Sequence, residues 1–149
     1  MTSLIRVSAG IITRGPHLLI CQRRTTDLHA LKWEFPGGKA NATESDEDCL
    51  QRELREELQI EATIGEVLSR TTHTYPNGRT VSLTFCYVPR YEGEIINTQF
   101  QAIAWIEPAQ LLSYDFLEGD LEFVAALAHG EWPHIFPNPQ SLASNPHQS

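Results

Sequence analysis

The chain has little with which to hold a nucleic-acid backbone. Its 11 Lys and Arg residues stand against 19 Asp and Glu, a formal net charge of −8, whereas sequence-independent binding of DNA or RNA depends on bases that neutralise phosphates. No stable nucleic-acid complex is expected, and any phosphate-bearing ligand would need a metal ion or a local cluster of bases. Cysteine is scarce too: Cys21, Cys49 and Cys86 are odd in number and widely spaced, without a CxxC pair or histidines at metal-ligand spacing. They read as small buried hydrophobes in a reducing cytoplasm. Long apolar runs are also missing. The opening MTSLIRVSAGIITRG is broken at Ser8 and Gly10, too early for the apolar region of a secretory signal, and no run approaches membrane-spanning length. A soluble cytoplasmic protein with no membrane partner is the expectation, and internal repeats are absent.

What is present suits one globular domain: 149 residues, 41% hydrophobic and 20% charged. Residues 4–13 and the run HLLICQR flank Arg14-Gly15-Pro16 and predict a β-hairpin. Residues 24–44 read as a loop, with a short strand at WEF; its length and its aromatics mark it as functional. Residues 45–58 carry the strongest helical signal, with Ser45 or Thr43 as cap, acidic residues in the first turn and Leu50, Leu54 and Leu58 recurring every fourth position. ATIGEVLSRTTHTY and TVSLTFCYVPR predict strands around the turn Pro76-Asn77-Gly78. The strand FQAIAWI then precedes a short helix PAQLLS opened by Pro108, and residues 118–129 predict a second helix. Residues 131–149, with prolines at 133, 137, 139 and 146, predict an irregular tail with a disordered end, onto whose neighbouring domain Trp132 and Phe136 dock. The order strands, helix, strands, helix gives a mixed α/β domain over residues 1–130.

The acidic segment ELREE, residues 53–57, admits two readings. Glu53, Glu56 and Glu57 fall within a sector of about 100° on a helix, beside the face that carries the leucines. As a solvated face this arrangement is unfavourable, because Glu pairs three and four residues apart repel by a few tenths of a kcal/mol each. As hard oxygen ligands for Mg²⁺ or Mn²⁺, the same carboxylates are stabilised by the ion they bind.

Together with what precedes it, this segment resembles the signature of the Nudix hydrolases: Gly, five residues, Glu, seven residues, Arg-Glu, an aliphatic, any residue, Glu-Glu, any residue, Gly, an aliphatic. Those slots hold Gly38, Glu44, Arg52-Glu53, Leu54, Glu56-Glu57 and Ile60, with Gln59 where Gly is expected. Gln59 alters backbone shape and removes no ligand; a non-Gly residue held in a left-handed conformation there costs on the order of 1 kcal/mol. The resemblance implies an α/β/α sandwich with a mixed sheet, in which the signature forms a loop–helix–loop. It implies divalent-metal-dependent hydrolysis of a nucleoside diphosphate linked to another group. Glu53, Glu56 and Glu57 would bind metal with a carbonyl near Gly37 or Gly38, Arg52 would hold the carboxylates, and Glu44 would support the loop or a further metal. Lys39 would sit beside the phosphates, or is an ordinary solvated lysine. Water attack needs a base, for which Glu53 and Glu56 are candidates; the position some relatives use, several residues before Trp105, offers only Gln99 and Gln101.

KWEFPGGK, QRR, HTYPN and DFLEGD further resemble the MutT-like branch, the nucleotide-pool pyrophosphohydrolases, over roughly residues 4–128. That branch implies conversion of a nucleoside triphosphate to monophosphate and pyrophosphate, with 8-oxo-dGTP or cytidine nucleotides as substrates. The base pocket would be flanked by Phe85 and Asp120, with Arg23 on phosphate or sugar. Each has a plainer reading: Phe85 as core, Asp120 as a helix cap, Arg23 as a solvated strand end. Other Nudix substrates, such as nucleotide-sugars or dinucleoside polyphosphates, remain open, as do a non-catalytic nucleotide-binding module and a monomer or homodimer.

Overall fold

The computed structural model describes residues 4–136. The hairpin forms as its two apolar runs require: β1 (Leu4–Arg14) turns through Gly15-Pro16 into β2 (His17–Gln22). Short strands β3 (Trp33–Glu34) and β4 (Gly37–Lys39) follow, then helix α1 (Asp46–Leu58). Ser45 caps α1 by accepting the Asp48 N–H at 3.0 Å, and Asp46, Glu47 and Asp48 complement the dipole of its first turn. Beyond it come β5 (Glu61–Thr63), β6 (Val67–Thr74), β7 (Thr80–Val88), β8 (Arg90–Glu92) and β9 (Ala102–Ile106). A 3₁₀ turn at Pro108–Ser113 and another at Glu118–Asp120 lead into α2 (Leu121–Ala128).

Four local expectations are corrected. The strand expected from Ala62 to Tyr75 is broken near Gly65 into β5 and β6, because β5 leaves the main sheet to pair with β8. The helix expected from residue 118 is a tight turn until Leu121. Strand β9 starts at Ala102, after Phe100 and Gln101. Residues 37–39, expected in a loop, form β4, because β1 offers them a partner remote in sequence.

The sheet is mixed. Its order is β3-β2-β1-β7-β6, with β4 also on β1 and β9 also on β2; β1 and β7 run parallel and the other pairs antiparallel. Because both faces are covered, β1 reads as a nearly continuous apolar run with its side chains divided between two cores. Ala9 and Ile11 join Phe35, Leu83, Phe85, Phe123 and Leu127 on the α2 side, while Ile12 joins Leu50, Leu54 and Leu58 on the α1 side. This is an α/β/α sandwich. The three leucines are fully buried, each contributing about 1.5–3 kcal/mol, and so fix which edge of α1 faces the sheet. Residues 131–136 continue this packing: Ile135 is fully buried, and Trp132 and Phe136 pack against the α2-side core. The rest of the tail lies outside the described residues.

Candidate active site

The pairing of β4 with β1 places Ser8 opposite Gly38 and Ala9 opposite Gly37, beneath α1. The chains approach so closely that a side chain is excluded: a Cβ on Gly37, whose φ is 149°, would lie 2.0 Å from the Ser8 carbonyl oxygen. On Gly38 it would lie 2.2 Å from Oε2 of Glu53. Gly38 thus leaves room for a carboxylate laid against the sheet.

Arg52 organises the acidic residues. Its Nε and Nη2 donate to Oε2 and Oε1 of Glu44 at 2.8 and 2.9 Å, a two-pronged contact, and Nη2 also reaches the Lys39 carbonyl at 3.0 Å. Nη1 donates to Oε1 of Glu53 at 2.8 Å and of Glu56 at 3.1 Å. These bonds push the Glu44 carboxyl down to about 2 and hold the Arg52 guanidinium firmly charged. Burial raises Glu53 despite Arg52.

Glu57 is different. It is buried, and its Oε1 accepts the Gly37 N–H at 3.0 Å, with no cationic side chain bonded to it among the described residues. Burial and then the charge of Glu53 push it up to about 9. A cation beside it would reverse that shift. Among the described residues no group of three or more acidic, histidine or cysteine side chains is arranged so as to hold a metal ion. The chemistry of the oxygens nearby is nonetheless that of a site for a hard divalent ion, with the Glu53 and Glu56 carboxylates on Arg52 and the buried Glu57 carboxylate on the Gly37 N–H. Mg²⁺ in particular takes few protein oxygens and keeps several waters.

The remaining sequence-derived residues separate. Lys39 is exposed on β4. Arg23 donates through Nη1 to Glu34 at 3.2 and 3.3 Å and through Nε to the Leu28 carbonyl at 2.7 Å, so it is tethered rather than simply solvated. Phe85 is fully buried and stacked on Phe123 with centroids 4.0 Å apart, as a core residue would be. Asp120 occupies the N-cap position of α2 but its side chain makes no capping bond among the described residues; it is buried, and burial followed by the charge of Glu34 pushes it up to about 8. Tyr75 stands nearby: burial, then Asp120, raises its phenol, and its oxygen leaves no space for a side chain at Gly119.

Glu34 was not singled out from sequence. Trp33 and Phe35 pack into the α2-side core, so alternation along the strand sends Glu34 to the other face, beside its register partner Cys21. Burial pushes it up to about 7 against the lowering effect of Arg23, and its charge is felt at both Glu57 and Asp120. An acid between two core aromatics was its only sequence signal.

The sequence pattern of the NUDIX domain matches residues 4–127. The chain belongs to the NUDIX family. This NUDIX domain is 37% identical over 123 residues to the CTP pyrophosphohydrolase of Escherichia coli, covering 83% of this chain and 90% of that one. It is 32% identical over 124 residues to the 8-oxo-dGTP diphosphatase of the same organism, covering 83% and 95%. The solution structure of the E. coli ORF135 protein superposes with a TM-score of 0.78 at 35% identity, covering 89% and 94%. Structures of MutT from Aliivibrio salmonicida and Vibrio cholerae are represented by a match with TM-score 0.73 at 29% identity, covering 85% and 98%. The NUDIX chain is therefore a hydrolase, and members of its family generally need divalent metal ions. No helix among the described residues is long and apolar enough to cross a membrane.

Proposed function

We propose that this enzyme hydrolyses nucleoside triphosphates to monophosphate and pyrophosphate with Mg²⁺, for which Mn²⁺ can substitute. Cytidine nucleotides are the preferred substrates and oxidised purine triphosphates such as 8-oxo-dGTP the second class. The observation that carries this reading is the gathering of Glu44, Glu53 and Glu56 around Arg52, beside the buried Glu57. The half-buried Glu34, whose charge is felt at both Glu57 and Asp120, relates this site for phosphates to one for a base.

The bound ion supplies charge neutralisation of the phosphates and lowers the barrier to water attack. Glu53, Glu57 and the Gly38 carbonyl would hold it, with Glu56 completing the set. Arg52 keeps Glu53 and Glu56 within reach of one nitrogen, and Glu44 fixes Arg52. One water adds across a phosphoanhydride, and its proton passes to Glu53 or Glu56. Lys39, exposed at the rim, meets the phosphates, and Arg23 the sugar or a phosphate. Asp120, buried and proton-holding near neutrality, can donate to a ring nitrogen such as cytosine N3 or accept from an amino group such as N4. Phe85 supports that pocket from below through Phe123.

The test is a panel of CTP, dCTP, 5-methyl-dCTP, 8-oxo-dGTP and unmodified purine triphosphates with Mg²⁺, reading monophosphate and pyrophosphate separately. Cytidine nucleotides should have the highest kcat/KM. Cleavage of nucleotide-sugars or dinucleoside polyphosphates with no turnover of any triphosphate would refute the assignment. Glu57→Gln should lower kcat by about 10³-fold or more with its fold intact by circular dichroism.

A further inference from the structure

Beneath Glu53 lies a hydroxyl that the mechanism above does not use. Ser8 is fully buried on β1, and among the described residues its Oγ has no hydrogen-bond partner. A buried hydroxyl left so costs about 1–3 kcal/mol, so an unpaired one asks for a partner in some other state.

The register identifies that partner. Ser8 and Gly38 face each other across an antiparallel pair, so their Cβ positions lie on one face of the sheet, about 4.5–5.5 Å apart. At Gly38 that position is filled by the Glu53 carboxylate, whose Oε2 is the nearest atom, 2.2 Å away from an ideal Cβ. The face is that of α1: Gly10, two residues along β1, meets Leu50 and Leu54, and Arg6, two residues back, bonds Asp46. Glu53 uses Oε1 for Arg52, and no hydrogen bond reaches Oε2 among the described residues. A donor without an acceptor thus sits beside an acceptor without a donor. Cys49 cannot serve in its place, since its Sγ is turned to the Gly38 carbonyl at 3.4 Å.

We propose that Ser8 is a positioning residue for the metal site: its hydroxyl donates to Oε2 of Glu53 and, with Arg52 on Oε1, fixes the plane of the carboxylate that faces the ion. This rests on the reading above that Glu53 holds the metal. Supports of this kind typically change metal affinity or activity by about 10–100-fold.

The experiment is Mn²⁺ binding to the nucleotide-free protein, followed by electron paramagnetic resonance of the free ion, for wild type, Ser8→Ala, Ser8→Cys and Glu53→Gln. Ser8→Ala should raise the Mn²⁺ Kd about 10-fold, and Ser8→Cys, which keeps a weak donor, should fall between it and wild type. Thermal midpoints should stay at or above that of wild type, because removing an unpaired buried hydroxyl does not weaken the fold. If Ser8→Ala binds Mn²⁺ like wild type while Glu53→Gln does not, the Ser8 role is wrong and the metal assignment stands. Unchanged binding in both variants would overturn both.

Discussion

Asp120 shows how far a single side chain departs from its ordinary chemistry once the fold closes over it. An exposed aspartate at the start of a helix loses its proton near pH 4, whereas burial and the neighbouring Glu34 raise Asp120 to about 8. The folded state therefore keeps a proton that the unfolded chain releases. Its contribution to stability is complete below about pH 4 and is lost as pH rises toward 8. Asp120→Asn, neutral throughout, should escape that decline. Urea unfolding of both proteins at pH 5 and pH 8 checks this: the variant should gain on wild type by at least about 1 kcal/mol over that interval, with Glu34 titrating alike in both. Loss of preference among the nucleotides of the substrate panel should accompany the gain in stability.

At the scale of the element, α1, on which the proposed mechanism places the reaction, shows where function and stability diverge. Its start is well capped, but its end is not optimal: Gln59 stands where the family pattern has Gly and adopts the left-handed conformation, φ 60° and ψ 35°, with its N–H on the Arg55 carbonyl at 3.0 Å. The helix is thus ended as the signature demands, by a residue poorly suited to ending it. Loop 97–100 reinforces the same end, where Thr98 Oγ1 donates to the Glu56 and Glu57 carbonyls, both at 2.9 Å. Since Gln59 is exposed, Gln59→Gly should relieve strain without opening a cavity. The expected gain is up to about 1 kcal/mol, read as a rise of about 2–4 °C in Tm, with kcat unchanged.

For the whole molecule, an aromatic stack joins the segment before the glycine loop to the end of the described chain. Trp132 packs on Phe123 at 5.0 Å between centroids, Phe123 stacks on Phe85, and Phe35 meets both edge-on at 5.7 and 6.1 Å, just ahead of the Pro36-Gly37-Gly38 loop. Ile135 anchors the far end of this arrangement and is fully buried. Residues 131–136 lie past the stretch matched by the family pattern, yet they complete its core. Ile135→Ala should cost about 2–5 kcal/mol in urea unfolding; a value near zero would show that the segment merely rests on the surface.

By itself the sequence determined the chemistry, because the features that specify it are local. A turn of helix brings Arg52, Glu53, Glu56 and Glu57 to one side at a fixed angular spacing, and the leucines between them say which side is anchored. The hairpin, the capped helix and the Pro-Asn-Gly turn were legible for the same reason. The tertiary structure decided what depends on contacts between remote segments. Alternation alone would turn Glu34 to solvent, but with both faces of the sheet covered it is half-buried, close enough for its charge to be felt at Glu57 and Asp120. Likewise β4 and the orphan hydroxyl of Ser8 have meaning only once β1 and the Gly38 loop are paired. No periodicity records that register, because it is set by the packing of the whole sheet.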